Sequence, residues 1–267
     1  MNLRPFGKRV AAACVTACSC MLLAQAAVAG QPPIVLKKQG YFYVGGKYDN
    51  PADPAYMHGQ MYVEYQIPVR ARKYPLVLIH GGSHTGVGWQ TTPDGRPGWA
   101  DYFVRRGWKV YNVDQPGRGR SNYVPEAYGP LGNPTTPKSA EDRWSASEKG
   151  DPATQWEQAF LHTRWPGTGV HGDPIFDQYY AHLMPGISNQ EEITKDAVIA
   201  LLDRIGPAII VEHSQPGPAT WRIADARPKL VAGVVAVEPS GPPIYDVTGT
   251  TLSRPWGPSD GFLKFVV

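Results

Sequence analysis

A serine lies where a strand-like apolar run turns into a predicted helix. The stretch from Ile209 to Gly217 reads IIVEHSQPG, and residues 219–226 are typical of a helix. A serine on such a sharp turn holds its hydroxyl clear of the sheet, and the next backbone N–H points at a developing oxyanion. The usual pattern is Gly-x-Ser-x-Gly, but Glu212 and Pro216 replace the two small residues here. Ser214 is therefore a candidate nucleophile, with an ordinary strand-to-helix turn as the alternative.

Two other apolar runs end in residues that could assist such a serine. Residues 75–79 are typical of a buried strand and lead into HGGSHTG, residues 80–86, which we call the glycine loop. Its backbone could approach a ligand closely, as an oxyanion hole requires, or form a plain turn. Residues 230–237 form the next apolar run after the serine, and Glu238 follows it directly. A carboxylate at the end of a parallel strand could be the acid of a catalytic triad, or a surface glutamate.

Strands and helices alternate around these sites. Residues 39–48 and 57–67 predict an antiparallel pair at the start, and a helix over 99–106 precedes a strand over 108–113. Ser188 and Glu191 are spaced as a capping box for a long helix that Gly206 ends. Its apolar face would hold Ile193, Ala197, Leu201 and Ile205.

Residues 122–187, which we call the cap segment, are rich in Pro, Gly and Trp and too long for a simple connection. We expect an inserted cap with short helices over 154–161 and 174–183. Its aromatic residues could line an apolar substrate pocket or form a small core of the cap itself. Trp165 and Tyr179 are the selected substrate-binding candidates in the set Trp156, Phe160, Trp165, Phe176, Tyr179 and Tyr180.

Residues 1–29 predict a secretory signal peptide, with a basic start, an apolar run and a small-residue cleavage site before Gly30. Lipid attachment at Cys18 is the minor alternative. Three of the 26 Lys and Arg residues, none of the 23 Asp and Glu residues and all three cysteines precede Gly30. Residues 30–267 are thus balanced in charge and lack cysteine, so we expect one α/β domain without disulfides, nucleic-acid binding or stable membrane insertion.

Three pieces together resemble the α/β-hydrolase fold: HGG after one strand, DQPGRGRS (residues 114–121) after the next, and the Ser214 turn. The HSQ of that turn and the VEP of residues 237–239 are similar to secreted bacterial and fungal esterases with a Ser-Glu-His triad. The likeness covers about residues 40–258. It implies a mostly parallel sheet with helices on both faces and an inserted cap.

For the site, the resemblance implies Ser214 as nucleophile, Glu238 as acid, and the N–H groups of Gly82 and Gln215 as oxyanion donors. The reaction would be hydrolysis of a small carboxylic ester through an acyl-enzyme, in a secreted or periplasmic protein. No metal or organic cofactor is implied. Assembly into homo-oligomers stays open.

The same resemblance places a catalytic histidine after the acid, and none follows Glu238. We therefore expect a C-terminally shortened esterase with impaired hydrolysis. The alternative is a non-catalytic hydrolase-fold protein that binds small apolar molecules through its cap. His84, His162 and His171 are stand-in candidates for the base.

Overall fold

A six-stranded mixed sheet is the centre of the structure, a computed structural model that describes residues 32–240 and the strands 245–248 and 251–255. Every element named below belongs to the compact unit that begins at Leu36. The predicted signal peptide and the alternative lipid site at Cys18 lie outside the described residues.

The strand order in the sheet is β1-β2-β4-β3-β5-β6. β1 pairs with β2 and β2 with β4 in antiparallel register, whereas β4, β3, β5 and β6 run parallel. A separate antiparallel pair, β7 with β8, follows. This mostly parallel sheet, flanked by helices, confirms the predicted fold class. The strands are β1 Leu36–Tyr48, β2 Met57–Pro68, β3 Leu76–Ile79, β4 Val110–Asp114, β5 Ala208–His213, β6 Val231–Val237, β7 Tyr245–Thr248 and β8 Thr251–Pro255.

The helices of the described residues are short, apart from two that follow the cap segment. They are α1 Val87–Gln90, α2 Trp99–Arg105, α3 Pro125–Tyr128, α4 Pro137–Ala140, α5 Pro174–Tyr180, α6 Gln190–Ile205 and α7 Gly217–Ala226. The cap segment also contains a π turn over Glu141–Ser145 and 3₁₀ turns over Ser147–Lys149 and Ala159–Leu161. Within the described residues, no helix has the length and apolar character needed to cross a membrane.

The main core lies between the central strands and α6. Val77 and Ile79 of β3 and Ile210 of β5 are fully buried, and Leu201 of α6 packs in the same cluster. Each such side chain contributes about 1.5–3 kcal/mol when it leaves water. β3 and β5 are thereby held rigidly side by side, and their carboxyl ends carry the glycine loop and Ser214.

The predicted capping box is wrong. The Ser188 hydroxyl donates to the backbone carbonyl of Tyr128 at 2.9 Å, so it is not available to the helix. α6 begins at Gln190, and Asn189 precedes it in a left-handed conformation with φ 55° and no side-chain cap bond. A hydrogen bond to a residue 60 positions away in the chain has replaced the predicted bond of Ser188 to its own helix.

The helix predicted over 154–161 is also wrong, since only Ala159–Leu161 forms a 3₁₀ turn. Upstream of it, the Asp151 carboxylate accepts from the Ala153 N–H, and the Asp151 carbonyl accepts from Thr154 and Gln155. Such local bonds compete with helix formation. The second predicted helix is present as α5, where the Asp173 side chain caps the first turn.

Candidate active site

Ser214 lies in a strained turn between β5 and α7. Its φ is 63°, a left-handed conformation that costs a residue other than glycine about 1–3 kcal/mol. The Ser214 N–H donates to the Val237 carbonyl at 3.1 Å, and the Ser214 carbonyl accepts from the Ser240 N–H at 2.7 Å. It also accepts from the Gly217 N–H at 3.1 Å. The end of β6 therefore holds the serine turn, residues 214–217, in its strained form.

Gly217 explains how the turn tolerates its unusual sequence. A methyl group at this position would lie 2.9 Å from Cβ of Pro239 and 2.9 Å from the carbonyl oxygen of Ser240. The chain leaving β6 passes directly over Gly217, so only a glycine fits there. Gly217 lies one position later than the second glycine of the usual pattern, and it accommodates the chain that leaves β6, a contact that the sequence did not predict.

Glu212 lies in β5 where the usual pattern has a glycine. Its side chain is fully buried, and neither carboxylate oxygen has a hydrogen-bond partner within the described residues. Burial raises the pKa of Glu212 to about 7. Glu212 is therefore a buried titratable group two residues before the candidate nucleophile.

Glu238 follows β6 at the same edge of the sheet as Ser214. It is exposed, its φ is 46°, and the residues just before the two candidates, His213 and Val237, are paired in register. Burial lowers the pKa of His213, while the negative charge of Glu238 acts to raise it. The structure thus brings the predicted nucleophile and the predicted acid to adjacent strand ends.

The glycine loop packs against the serine turn. A methyl group at Gly81 would lie 2.7 Å from Nδ1 of His213, and one at Gly82 would lie 3.5 Å from Cβ of Gln215. The two predicted oxyanion residues, Gly82 and Gln215, are therefore neighbours. The close approach at Gly81 requires a residue without a side chain.

His80 supports this loop from inside. Its Nε2 accepts from the Gln115 N–H at 3.0 Å, so the proton resides on Nδ1, which donates to the Gly81 carbonyl at 2.9 Å. Burial lowers the pKa of His80 to about 3, and the nearby charge of Arg118 adds to the effect. His80 is therefore neutral, with both nitrogens engaged.

The three stand-in histidines have other polar partners. His84 donates from Nδ1 to the Gly82 carbonyl at 2.6 Å and accepts at Nε2 from the Tyr179 hydroxyl at 2.9 Å. Burial lowers its pKa to about 4. His171 lies 2.7 Å from Glu141, and His162 lies 3.4 Å from Glu148. No histidine of the described residues makes a hydrogen bond with the Ser214 hydroxyl.

An apolar cavity of about 320 Å³ opens beside the two strand ends. Trp165 and Tyr179, the predicted substrate-binding residues, both line it. Other aromatic residues of the cap segment do not: Phe176 is buried and stacks on Tyr180 at 5.7 Å. The lining residues include Trp89, Trp99, Trp165, Tyr179, His213 and Val237.

Sequence reasoning missed Trp89 of α1 and Trp99 of α2, whose rings lie 5.3 Å apart. Their position in the sequence, shortly after the glycine loop, could have indicated that they lie near the site. In the described residues, no group of three His, Cys, Asp or Glu side chains could hold a metal ion.

Comparison with known proteins finds relatives that are named as a lipase and an esterase. The chain is 44% identical over 232 residues to a "Probable secreted lipase phiG" of Fungal sp. (strain ATCC 74256), a match that covers 84% of this chain. The chain spans 59% of the length of that relative. It is also 30% identical to a solved bacterial esterase, over 80% of this chain and 72% of that one, with a TM-score of 0.55. No family model matches the chain.

Proposed function

The chain belongs to the α/β-hydrolase fold family, and on this basis we propose that it is a secreted serine hydrolase of carboxylic esters. The observation that carries the proposal is the strained φ of 63° at Ser214, between β5 and α7. A strained residue persists only where its surroundings over-determine it, and such residues cluster at functional sites. The lipase and esterase relatives point to the same chemistry.

The reaction would run through an acyl-enzyme. The Ser214 hydroxyl oxygen attacks the ester carbonyl carbon, and the carbonyl oxygen becomes an oxyanion. The N–H groups of Gly82 and Gln215, neighbours across the loop and the turn, donate to that oxyanion. Collapse of the intermediate expels the alcohol, and water then releases the carboxylic acid from Ser214.

Glu238 would orient the imidazole that takes the Ser214 proton. No histidine follows Glu238 in the sequence, and both nitrogens of His80 and of His84 have other partners. A serine hydroxyl is a poor nucleophile without a base. The base is therefore assigned to neither His80 nor His84.

The cap segment would supply the substrate pocket. Trp165 and Tyr179 place two aromatic rings 5.2 Å apart at the wall of the cavity, and Val237 and His213 bring that cavity to the strand ends. An apolar acyl or alcohol group of a small ester suits this lining. The predicted signal peptide and the name of the fungal relative support export of the protein.

The test is covalent labelling of residues 30–267 with a fluorophosphonate, beside hydrolysis of a short-chain aryl ester. Both should depend on Ser214 and disappear in Ser214→Ala. Ser83→Ala is the matched control, because Ser83 also follows a strand and has a φ of 60°. Labelling that survives Ser214→Ala would reject the nucleophile.

A non-catalytic binding protein is the second candidate, favoured by the apolar cavity and by the lack of an imidazole bonded to Ser214 in the described residues. Saturable binding of an aryl ester without labelling or turnover would support that function instead.

A further inference from the structure

We propose that Arg118 is a positioning residue for the oxyanion hole: its guanidinium fixes the peptide between Gly81 and Gly82 so that the Gly82 N–H faces Ser214. The inference rests on the proposed function, since it assigns the orientation of one oxyanion donor.

Arg118 is presented inward by a tight turn in the polar loop, residues 114–121. The Arg118 N–H donates to the Gln115 carbonyl at 3.0 Å, and its carbonyl accepts from the Ser121 N–H at 2.8 Å. The glycines on either side have φ values of 77° and 51°, which the turn requires. As a result, only 4% of the surface of Arg118 is exposed. The loop that carries Arg118 follows the end of β4.

The buried guanidinium has no carboxylate partner within the described residues. Asp114, the carboxylate of the same loop, binds Arg120 at 2.7 Å and accepts from the Gly86 N–H at 2.7 Å. Nε of Arg118 has no hydrogen-bond partner there, and burial lowers the pKa of Arg118 to about 10. An unpaired buried charge destabilises a fold. Stability therefore does not account for an arginine at this position.

The hydrogen bond that Arg118 makes in the described part of the chain points to its role. Nη1 donates to the Gly81 carbonyl at 3.2 Å. The same oxygen accepts from His80 Nδ1 at 2.9 Å and from the His84 N–H at 3.3 Å. Three donors converge on one carbonyl, and Arg118 is the charged one. Hydrogen bonds from a charged donor are roughly twice as strong as neutral ones.

The direction of this carbonyl determines the direction of the oxyanion donor. No cis peptide bond occurs in the described residues, and in a trans peptide the carbonyl and the following N–H point to opposite sides. Holding the Gly81 oxygen toward Arg118 therefore turns the Gly82 N–H away from Arg118, and Gly82 itself packs against Gln215. Two adjacent glycines flip easily because neither has a Cβ. A flipped peptide would direct its carbonyl oxygen at the oxyanion and repel it.

The test measures fluorophosphonate labelling of Ser214 in Arg118→Met, which keeps an unbranched side chain without charge or donors. We expect the maximum labelling rate to fall by about 10²-fold, the usual effect of losing one oxyanion donor. The probe concentration for half-maximal rate should stay the same, because the cavity is intact. The melting temperature should be equal or higher, because the unpaired buried charge is gone.

Arg120→Met is the matched control from the same loop. Arg120 is paired with Asp114 and Glu64, so its loss should lower the melting temperature. If Arg118→Met does not fold, Arg118→Gln, which keeps a neutral N–H donor, should still label at least tenfold more slowly. Labelling at the wild-type rate in the folded Met or Gln variant would overturn the role of Arg118. Absence of Ser214 labelling in the wild type would overturn the proposed function instead.

Discussion

The backbone carbonyl of Ser214 accepts a hydrogen bond from the backbone N–H of Ser240 at 2.7 Å. This bond joins the serine turn to the chain that leaves β6, two residues after Glu238. A second bond, from the Ser214 N–H to the Val237 carbonyl, lies on the other side of Glu238. The proposed nucleophile, Ser214, and the proposed acid, Glu238, are thereby held together through the backbone, independently of their side chains.

Gly217→Ala should disrupt this connection. The new methyl group would lie 2.9 Å from the Ser240 carbonyl oxygen, so the backbone after β6 must move away from the serine turn. We expect a loss of about 1–3 kcal/mol in the free energy of unfolding, together with slower labelling of Ser214. Denaturant unfolding and probe labelling measure the two effects. Gly233→Ala is the control, since its methyl group would lie 3.8 Å from its nearest neighbour; equal behaviour of the two variants would contradict the prediction.

Glu212→Gln should change how stability depends on pH. The folded-state pKa of Glu212 is about 7, above the ordinary 4.5, so the folded state binds more protons than the unfolded state between these values. The carboxylate therefore costs stability as pH rises from 4.5 to 7, by up to about 3 kcal/mol, and the cost stays constant above pH 7.

The Gln variant should match the wild type near pH 4.5 and be more stable at pH 8. Melting temperatures across this range provide the measurement. Glu157→Gln, at an exposed position, controls for the loss of one carboxylate. Parallel melting curves of the Glu212→Gln variant and the wild type would show that Glu212 ionises freely in the folded protein.

Tyr179→Phe should destabilise the region where the cap segment meets the glycine loop. The Tyr179 hydroxyl donates to His84 Nε2 at 2.9 Å, and burial keeps His84 neutral near pH 7. Without the hydroxyl, that nitrogen loses its donor, at a cost of about 1–3 kcal/mol. Urea unfolding measures this loss in the free energy of unfolding, and Tyr102→Phe, at an exposed position, is the control. A change no larger than that of Tyr102→Phe would argue against this hydrogen bond.

Trp165→Ala should weaken binding of esters with bulky apolar groups, because it removes one wall of the cavity. We expect the substitution to raise the half-saturating concentration of an aryl fluorophosphonate more than that of a small alkyl one. The maximum labelling rate with the alkyl probe should stay the same as in the wild type. Trp156→Ala is the control, since Trp156 is 49% exposed and does not line the cavity. Equal losses for both probes, or in both variants, would place substrate binding elsewhere.

The sequence by itself determined the arrangement of strands, loops and helices that carries the site. Continuous apolar runs predicted β3, β5 and β6, and the residues that follow them are the glycine loop, Ser214 and Glu238. This inference is local and robust, because parallel strands end at one edge of the sheet and bring the residues that follow them together. Trp165 and Tyr179 were chosen as substrate-binding candidates from their chemical type alone, and both line the cavity.

Tertiary structure decided what depends on contacts between distant segments. The Ser188 hydroxyl donates to the Tyr128 carbonyl instead of capping the helix that follows it. Gly217 leaves room for Ser240, and Arg118 donates to the Gly81 carbonyl, 37 residues away in the chain. No periodicity or spacing encodes such contacts, because each depends on how two independently predicted elements pack. The strain at Ser214 belongs to the same class: its side chain is visible in the sequence, but the hydrogen bonds that hold its φ come from the far end of β6.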